Sequence, residues 1–297
     1  MLSAEENKKL FKRELIGYEQ DHQNNLKNKQ MLVINCLKHP ARMINLAYLM
    51  LKSRIFQKTY EISITTFWNE SMNVIIPEEV SQKIAAYGYF ETGLTKVFLD
   101  YLHEGDILID VGAHYGYFSL LGSSIVGNSG QVHSFDPIPS TYQILGSNIK
   151  GNNNIVANNC ALFSECKELL MNDYGYERSA YNNIVHTHNK SSTAKTVRVK
   201  AVSLDSYAGK IGIIPNFLKI DAEGEEYDVL LGAQFVIKNY KPIITVEVSN
   251  ENSKKCINYL LSEGYHAYEI RKGKMIPHLP ESDYLYDNII FFPRAIQ

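Results

Sequence analysis

The chain has 297 residues, a formal net charge of −2 and 45% hydrophobic residues, enough for one large domain or for a domain with an accessory segment. With 30 basic against 32 acidic residues and no run of like charge, it lacks the footprint of a nucleic-acid-binding protein. The most apolar N-terminal window, MLVINCLKHPARMINLAYLML, carries Lys38, His39 and Arg42 at its middle, which a spanning helix rarely tolerates; the charged, Asn-rich residues before it do not resemble a secretory signal, so a soluble, cytoplasmic protein without a transmembrane segment is expected.

Residues 3–56 read as helices broken at Pro40: EENKKLFKRELIGYEQ is charged with periodic Leu, Phe and Ile, and residues 41–56 carry an apolar stripe. YEISITTF and MNVIIP predict two short strands around the turn WNES. EEVSQKIAAYGYFETGLTKVFLDYLHEG returns to helical periodicity, with Gly105 as its stop. From residue 106 strands and helices alternate. DILIDVG is a strand, GYFSLLGSSIV a helix, QVHSFD a strand, STYQILGSNIKGN a helix and NIVANNCAL a strand. Later come the strand FLKI, helix EYDVLLGAQFVI, strand PIITVEV, helix NSKKCINYLLSEG and strands YHAYEI and NIIFFP. Such alternation predicts an α/β fold of right-handed βαβ units, with a mostly parallel sheet covered on both faces. Residues 163–202 interrupt it with a β-rich insertion, KELLMN and KTVRVKAVSL around a stretch rich in Tyr, Asn and His. The expected division is an accessory segment over 1–86, helical with a β-hairpin, and an α/β domain over 87–297. Cys36, Cys160, Cys166 and Cys256 show no C-x-x-C pairing and are expected to be buried free thiols.

DILIDVGAHYGYFS puts Asp110, Gly112 and Gly116 where a strand gives way to a helix. Glycines there allow a tight turn and let backbone approach a ligand closely. The G-x-x-x-G spacing is neither the G-x-G-x-x-G of dinucleotide sites nor a phosphate-binding loop ending in G-K-[ST]. An acid directly before the turn repels a pyrophosphate and suits a cationic group. SFDP ends the next strand with Asp136, where a carboxylate accepts both hydrogen bonds of a ribose diol. A cationic amino-acid end at Asp110 and a ribose at Asp136 describe S-adenosylmethionine better than NAD; the bland alternative is a structural strand–turn–helix.

FLKIDAEGEEYDVLLGA then concentrates Asp221, Glu223, Glu225 and Glu226 after an apolar run. Glu225 and Glu226 fall in a first helical turn, where the helix dipole favours acids by roughly 0.3–1 kcal/mol each. Asp221 and Glu223 lie at the carboxyl edge of a parallel strand, where α/β sheets place ligands, and Glu247, ending IITVE, belongs beside them. Three converging carboxylates suit a general base taking a hydroxyl proton, or a divalent cation such as Mg2+ held by oxygen ligands; helix and turn capping is the bland alternative. The metal-free arrangement, with Asp221 and Glu223 positioning an acceptor, is preferred. In the insertion, His186 and His188 are expected to be surface residues, with a general-base role for one of them as the alternative, whereas Tyr174, Tyr176 and Tyr181 either stack on a sugar or aromatic acceptor or stand there incidentally.

LIDVGAHYGYFS, SFDPIPS, LDSY…FLKIDAEGEEYDVLLGA…PIITVEV and GYFE at 88–91 resemble the FkbM family of S-adenosylmethionine-dependent O-methyltransferases over roughly residues 87–293. K-I-D-x-E-G-x-E is the most specific part. The resemblance implies a class I methyltransferase fold, a Rossmann-like seven-stranded sheet whose last strand is antiparallel, with the cofactor at the carboxyl ends of the first strands. It assigns cofactor contacts to Glu91, Asp110, Gly112, Ala113, His114, Gly116, Phe118, Asp136, Pro137, Ala161 and Leu162, and the acceptor side to Asp221, Glu223 and Glu247. The acceptor implied is a hydroxyl of a sugar, in a glycan or a secondary metabolite. Asp136 stands where many such enzymes carry Glu, and His114 where Asn is frequent. Residues 1–86 are poorly covered and read as a lid, a homodimer contact or a wall of the acceptor site. A nicotinamide oxidoreductase lacks its glycine pattern here. A non-catalytic protein contacting a partner or membrane surface through residues 41–56 would have no use for three clustered carboxylates.

Overall fold

The computed structural model describes residues 5–6, 9–10, 40–185, 193–248, 252–271, 274–279 and 288–296; His186 and His188 lie outside them. Helix α1 (Pro40–Phe56) leads into a hairpin of β1 (Tyr60–Thr65) and β2 (Ser71–Ile76), antiparallel as expected around WNES. The long helical stretch that follows is two helices, α2 (Glu79–Tyr87) and α3 (Thr92–Tyr101). Glu78 caps α2, its carboxylate accepting the N–H groups of Val80 and Ser81 at 2.9 and 2.6 Å. Gly88 ends it at φ 79°, returning its N–H to the carbonyl of Ile84, a left-handed cap that glycine enters without a Cβ penalty.

Next come β3 (Ile107–Val111), α4 (Tyr117–Val126), β4 (Gln131–Phe135), α5 (Pro139–Asn148) and β5 (Ile155–Asn158). NIVANNCAL, one strand by pattern, divides after β5: β6 (Ala161–Leu162) leaves for a second sheet. There it joins β7 (Lys167–Asp173), β8 (Asn183–Ile184) and β9 (Lys195–Val202) in the order β6-β9-β7-β8. The chain continues through α6 (Leu204–Ile211), β10 (Phe217–Ile220), α7 (Glu226–Leu231), α8 (Gln234–Tyr240) and β11 (Ile243–Glu247). It closes with α9 (Ser253–Ser262), β12 (His266–Arg271), β13 (Lys274–Pro277) and β14 (Asn288–Phe292). EYDVLLGAQFVI, one helix by periodicity, is α7 and α8. At Gly232, between them, a Cβ would lie 2.0 Å from the carbonyl oxygen of Phe163.

The main sheet has eight strands ordered β13-β12-β14-β11-β10-β3-β4-β5. β5, β4, β3, β10 and β11 pair in parallel, and β14 runs antiparallel to both β11 and β12. Without its edge strand β13 this is the expected class I methyltransferase sheet. The added strand is a hairpin partner of β12, and KMIP is too short to show a period. Strand order reverses between β3 and β10: the chain builds β4 and β5 on one side, then returns to build β10 and β11 on the other. Open α/β sheets bind ligands outside the carboxyl ends at such a switch point.

Two cores sandwich the sheet. On one face Phe98 packs on Phe118 and Phe217, with ring centroids 4.9 and 5.0 Å apart, and Met72, Val74, Ile76 and Ile84 of the hairpin and α2 join the same cluster. On the other, Ile109, Phe135, Leu218, Val229, Ile237 and Phe291 are buried together. Strands enclosed on both faces have no polar side to show, which is why β3 and β10 read as continuous apolar runs. Of the cysteines, Cys256 alone fits the expected burial among the described residues; Cys160 is half-buried and Cys166 exposed. Among the described residues no helix is long and apolar enough to cross a membrane.

Candidate active site

The turn after β3 is shaped by what stands opposite it. Gly112 has φ 70°, and a Cβ there would lie 1.8 Å from the carbonyl oxygen of Asp221, so only glycine lets the ends of β3 and β10 meet. The N–H groups of Gly112 and Ala113 both reach the carbonyl of Phe135, at 3.0 Å each. His114 takes a left-handed conformation, φ 51°, uncommon for a residue with a side chain. Two contacts hold it there. Its N–H donates to Asp136 Oδ2 at 3.1 Å, and its Nε2 lies 2.8 Å from Ser179 Oγ. Burial pushes the imidazole pKa down.

Asp136, at the end of β4, is nearly enclosed and accepts a second N–H from Ile138 at 3.1 Å. Burial pushes its pKa up to about 8 against those two hydrogen bonds. Asp110 is fully buried and already engaged: it accepts the Ser119 hydroxyl at 2.6 Å and pairs with Lys219 at 3.4 Å. Lys219, which the sequence reading passes over inside FLKI, is the centre of the site's wiring. Its ammonium lies 3.2 Å from Asp221 and donates to the carbonyls of Val111 and Gly112 at 3.4 and 3.3 Å. Burial opposes its charge, but Asp221 and Asp110 outweigh that and hold its pKa above the usual lysine range. A lysine in an otherwise apolar strand was the available signal, since a fully buried lysine is almost always paired.

A cavity of about 530 Å3 opens over the carboxyl ends of β3, β4, β10 and β11, within the size range of small-molecule sites. Of the residues singled out from the sequence, Glu91, Gly112, Ala113, His114, Phe118, Asp136, Pro137, Ala161, Leu162, Asp221, Glu223 and Glu247 line it. Asp110 and Gly116 do not; they brace the turn from behind. Met72, Glu79, Val80, Lys83 and Ile84 from the hairpin and α2, and Ser179 to Asn182 from the insertion, complete the lining. No motif announced these, because they come from segments far apart in sequence. Tyr181 lines the cavity; Tyr174 and Tyr176 do not.

At one end Asp221, Glu223 and Glu247 each bring a carboxylate oxygen within 4.8 Å of the others, close enough to share a cation. Glu223 sits at φ 50°. The turn holding it is tied by Glu226, whose carboxylate accepts the N–H groups of Ala222 and Gly224 at 3.1 and 2.9 Å. Burial, then Asp221 and Glu226, push Glu223 up to about 8. Burial, then Asp221 and Glu223, push Glu247 well above the carboxylate range.

Comparison with known proteins finds several similar chains. The family model for the methyltransferase FkbM domain matches residues 110–269. A curated relative, the hexuronic acid methyltransferase AglP of Haloferax volcanii, is 29% identical over 187 residues, which are 61% of this chain and 72% of the relative. Similar solved structures include a methyltransferase FkbM from Methylobacillus flagellatus, with TM-score 0.42, 16% identity and coverage of 71% of this chain and 52% of that one. This chain therefore spans about half the length of that protein. Another is an S-adenosylmethionine-dependent O-methyltransferase from Thermotoga maritima, with TM-score 0.41, 11% identity and 82% of each chain covered. Residues 110–269 are more than half of the chain, and the chain belongs to the FkbM methyltransferase family.

Proposed function

We propose that the protein methylates a hydroxyl of a sugar, in a glycan or a secondary metabolite, using S-adenosylmethionine. The observation that carries this is the carboxylate cluster of Asp221, Glu223 and Glu247 opening on the same cavity as Asp136. The residues suit the cofactor. Asp136 presents a carboxylate at the switch point for a ribose diol, Gly112 leaves room where a Cβ would collide, and Ala161 and Leu162 supply small apolar surface for an adenine. Glu91, on the cavity wall, takes the cationic methionine end, since the Asp110 carboxylate is committed to Lys219. When bound, the cofactor supplies an electrophilic methyl group.

A hydroxyl is a weak nucleophile until its proton is removed, and a base is most effective when its pKa lies near the working pH. Glu223 fits that role. Asp221 and Glu247 receive hydrogen bonds from neighbouring hydroxyls, and Lys219 anchors Asp221 from below. A general base is needed to activate a hydroxyl and not an already ionised carboxylate, so a hydroxyl is the better reacting group. The curated relative is named for a hexuronic acid, which supports a sugar acceptor here. Replacing Glu223 by Gln is expected to lower kcat by about 10²–10⁴, with cofactor affinity by calorimetry unchanged. Turnover close to wild type would remove Glu223 from the reaction. The 4.8 Å convergence favours one second reading, a divalent cation orienting the hydroxyl. Activity that survives EDTA supports the metal-free reading; loss in EDTA with recovery in Mg2+ replaces it.

A further inference from the structure

The acids line the cavity, and parts outside the main sheet complete its wall. A short helical turn of the insertion, Tyr176–Tyr181, reaches across to α2. There the Tyr181 hydroxyl donates to Glu79 Oε2 at 2.6 Å, while Glu79 Oε1 lies 3.0 Å from the Lys83 ammonium. The Arg178 guanidinium lies 5.7 Å from the centre of the Tyr181 ring. The base of the turn is fastened too: buried Ser179 touches His114 at 2.8 Å and the Tyr115 hydroxyl at 3.0 Å. Tyr181 is thus held at its hydroxyl and met on one face, yet remains 46% exposed. It belongs to no buried core, so its placement on the cavity wall calls for another reason. It lines the same cavity as Glu223, which stands near enough to add to the influence of Glu79 on its phenol.

A pyranose ring has faces of C–H groups and a rim of hydroxyls. It is recognised by an aromatic surface for the face and by charged or polar groups for the rim, and an aromatic ring already held in place gives up little freedom on binding. We propose that Tyr181 is the platform on which the acceptor sugar ring lies. Glu79 and Lys83 take hydroxyls at its rim, and one hydroxyl is thereby presented to Glu223. Tyr181 is then a specificity-determining residue for the acceptor, with no part in holding the cofactor. The inference rests on the sugar-acceptor reading above.

The test follows methyl transfer from labelled S-adenosylmethionine to a panel of methyl glycosides of hexoses and hexuronic acids, with cofactor affinity measured separately by calorimetry. Tyr181→Ala is expected to raise the acceptor KM about tenfold and to leave the cofactor Kd within about threefold. Tyr181→Phe keeps the ring and is expected to retain most of the acceptor affinity. An unchanged acceptor KM in Tyr181→Ala, with an active wild-type enzyme, overturns the platform. A parallel rise in cofactor Kd overturns it as well, by making Tyr181 a roof of the cofactor site. Wild-type protein that binds the cofactor and methylates no glycoside of the panel removes the sugar acceptor itself, and the platform falls with it.

Discussion

Asp136, the residue proposed to take the ribose, shows how burial makes a carboxylate pH-dependent near neutrality. Its pKa stands at about 8, because burial outweighs the two N–H groups that favour its charge. A ribose diol donates hydrogen bonds and so binds the carboxylate form, lowering that pKa in the complex. Below about pH 8 the cofactor must displace a proton; affinity therefore falls as pH falls, by up to about tenfold per unit, and levels off above pH 8. Calorimetry from pH 6 to pH 9 should show this slope, and Asp136→Asn should flatten it while weakening binding throughout. A flat wild-type profile would place the ribose elsewhere. Asp136 and Gly112 could be singled out in the sequence because each follows a strand, and the structure places both on the cavity wall. Lys219 could not be: its meaning depends on Asp110, on a strand that only the fold brings beside it. The same pairing commits the acid expected to meet the methionine end.

Elements were legible where periodicity ran uninterrupted, and misread where the neighbour that stops them is distant. The breaks at Gly88 and Gly232 fall inside sound helical patterns; the first is a cap, and the second is forced by the backbone of Phe163. The hairpin of β1 and β2 was visible as a hairpin, but what fastens it was not. Asn148, at the end of α5, accepts the N–H of Asn73 at 2.7 Å and donates to the carbonyls of Asn73 and Tyr115 at 2.9 and 2.7 Å. One amide thus ties β2 to the turn after β3. Asn148→Ala leaves these backbone groups without their partner, at a cost of about 1–3 kcal/mol. Urea unfolding should show that loss, and hydrogen exchange should show the Asn73 amide opening before the amides of β3. An Asn73 amide as protected as in wild type would mean that core packing alone holds the hairpin.

Across the whole molecule, alternation from residue 106 onward was enough to foresee a mostly parallel α/β sheet, whereas residues 1–86 were read as an accessory segment, a lid, a dimer contact or a wall of the acceptor site, and not as part of the core. Residues 72–84 lie in the same core as the sheet: Met72, Val74, Ile75, Ile76 and Ile84 are each at most 4% exposed and cluster with Phe98 and Phe118. Burying side chains of this size contributes about 1.5–3 kcal/mol each, together on the order of 10 kcal/mol, comparable to the 5–15 kcal/mol net stability typical of a folded protein. The same segment gives the cavity Met72, Glu79, Val80, Lys83 and Ile84. A chain cut to residues 87–297 keeps every motif of the family resemblance and loses this face of the core. It is expected to melt without cooperativity or to aggregate, and to show no calorimetric binding of S-adenosylmethionine, whereas the full chain melts cooperatively and binds. If the shortened chain instead folds and binds the cofactor as tightly as the full chain, the segment contributes only to the acceptor wall. In that case its removal should still raise the acceptor KM, because Glu79 and Lys83 leave with it.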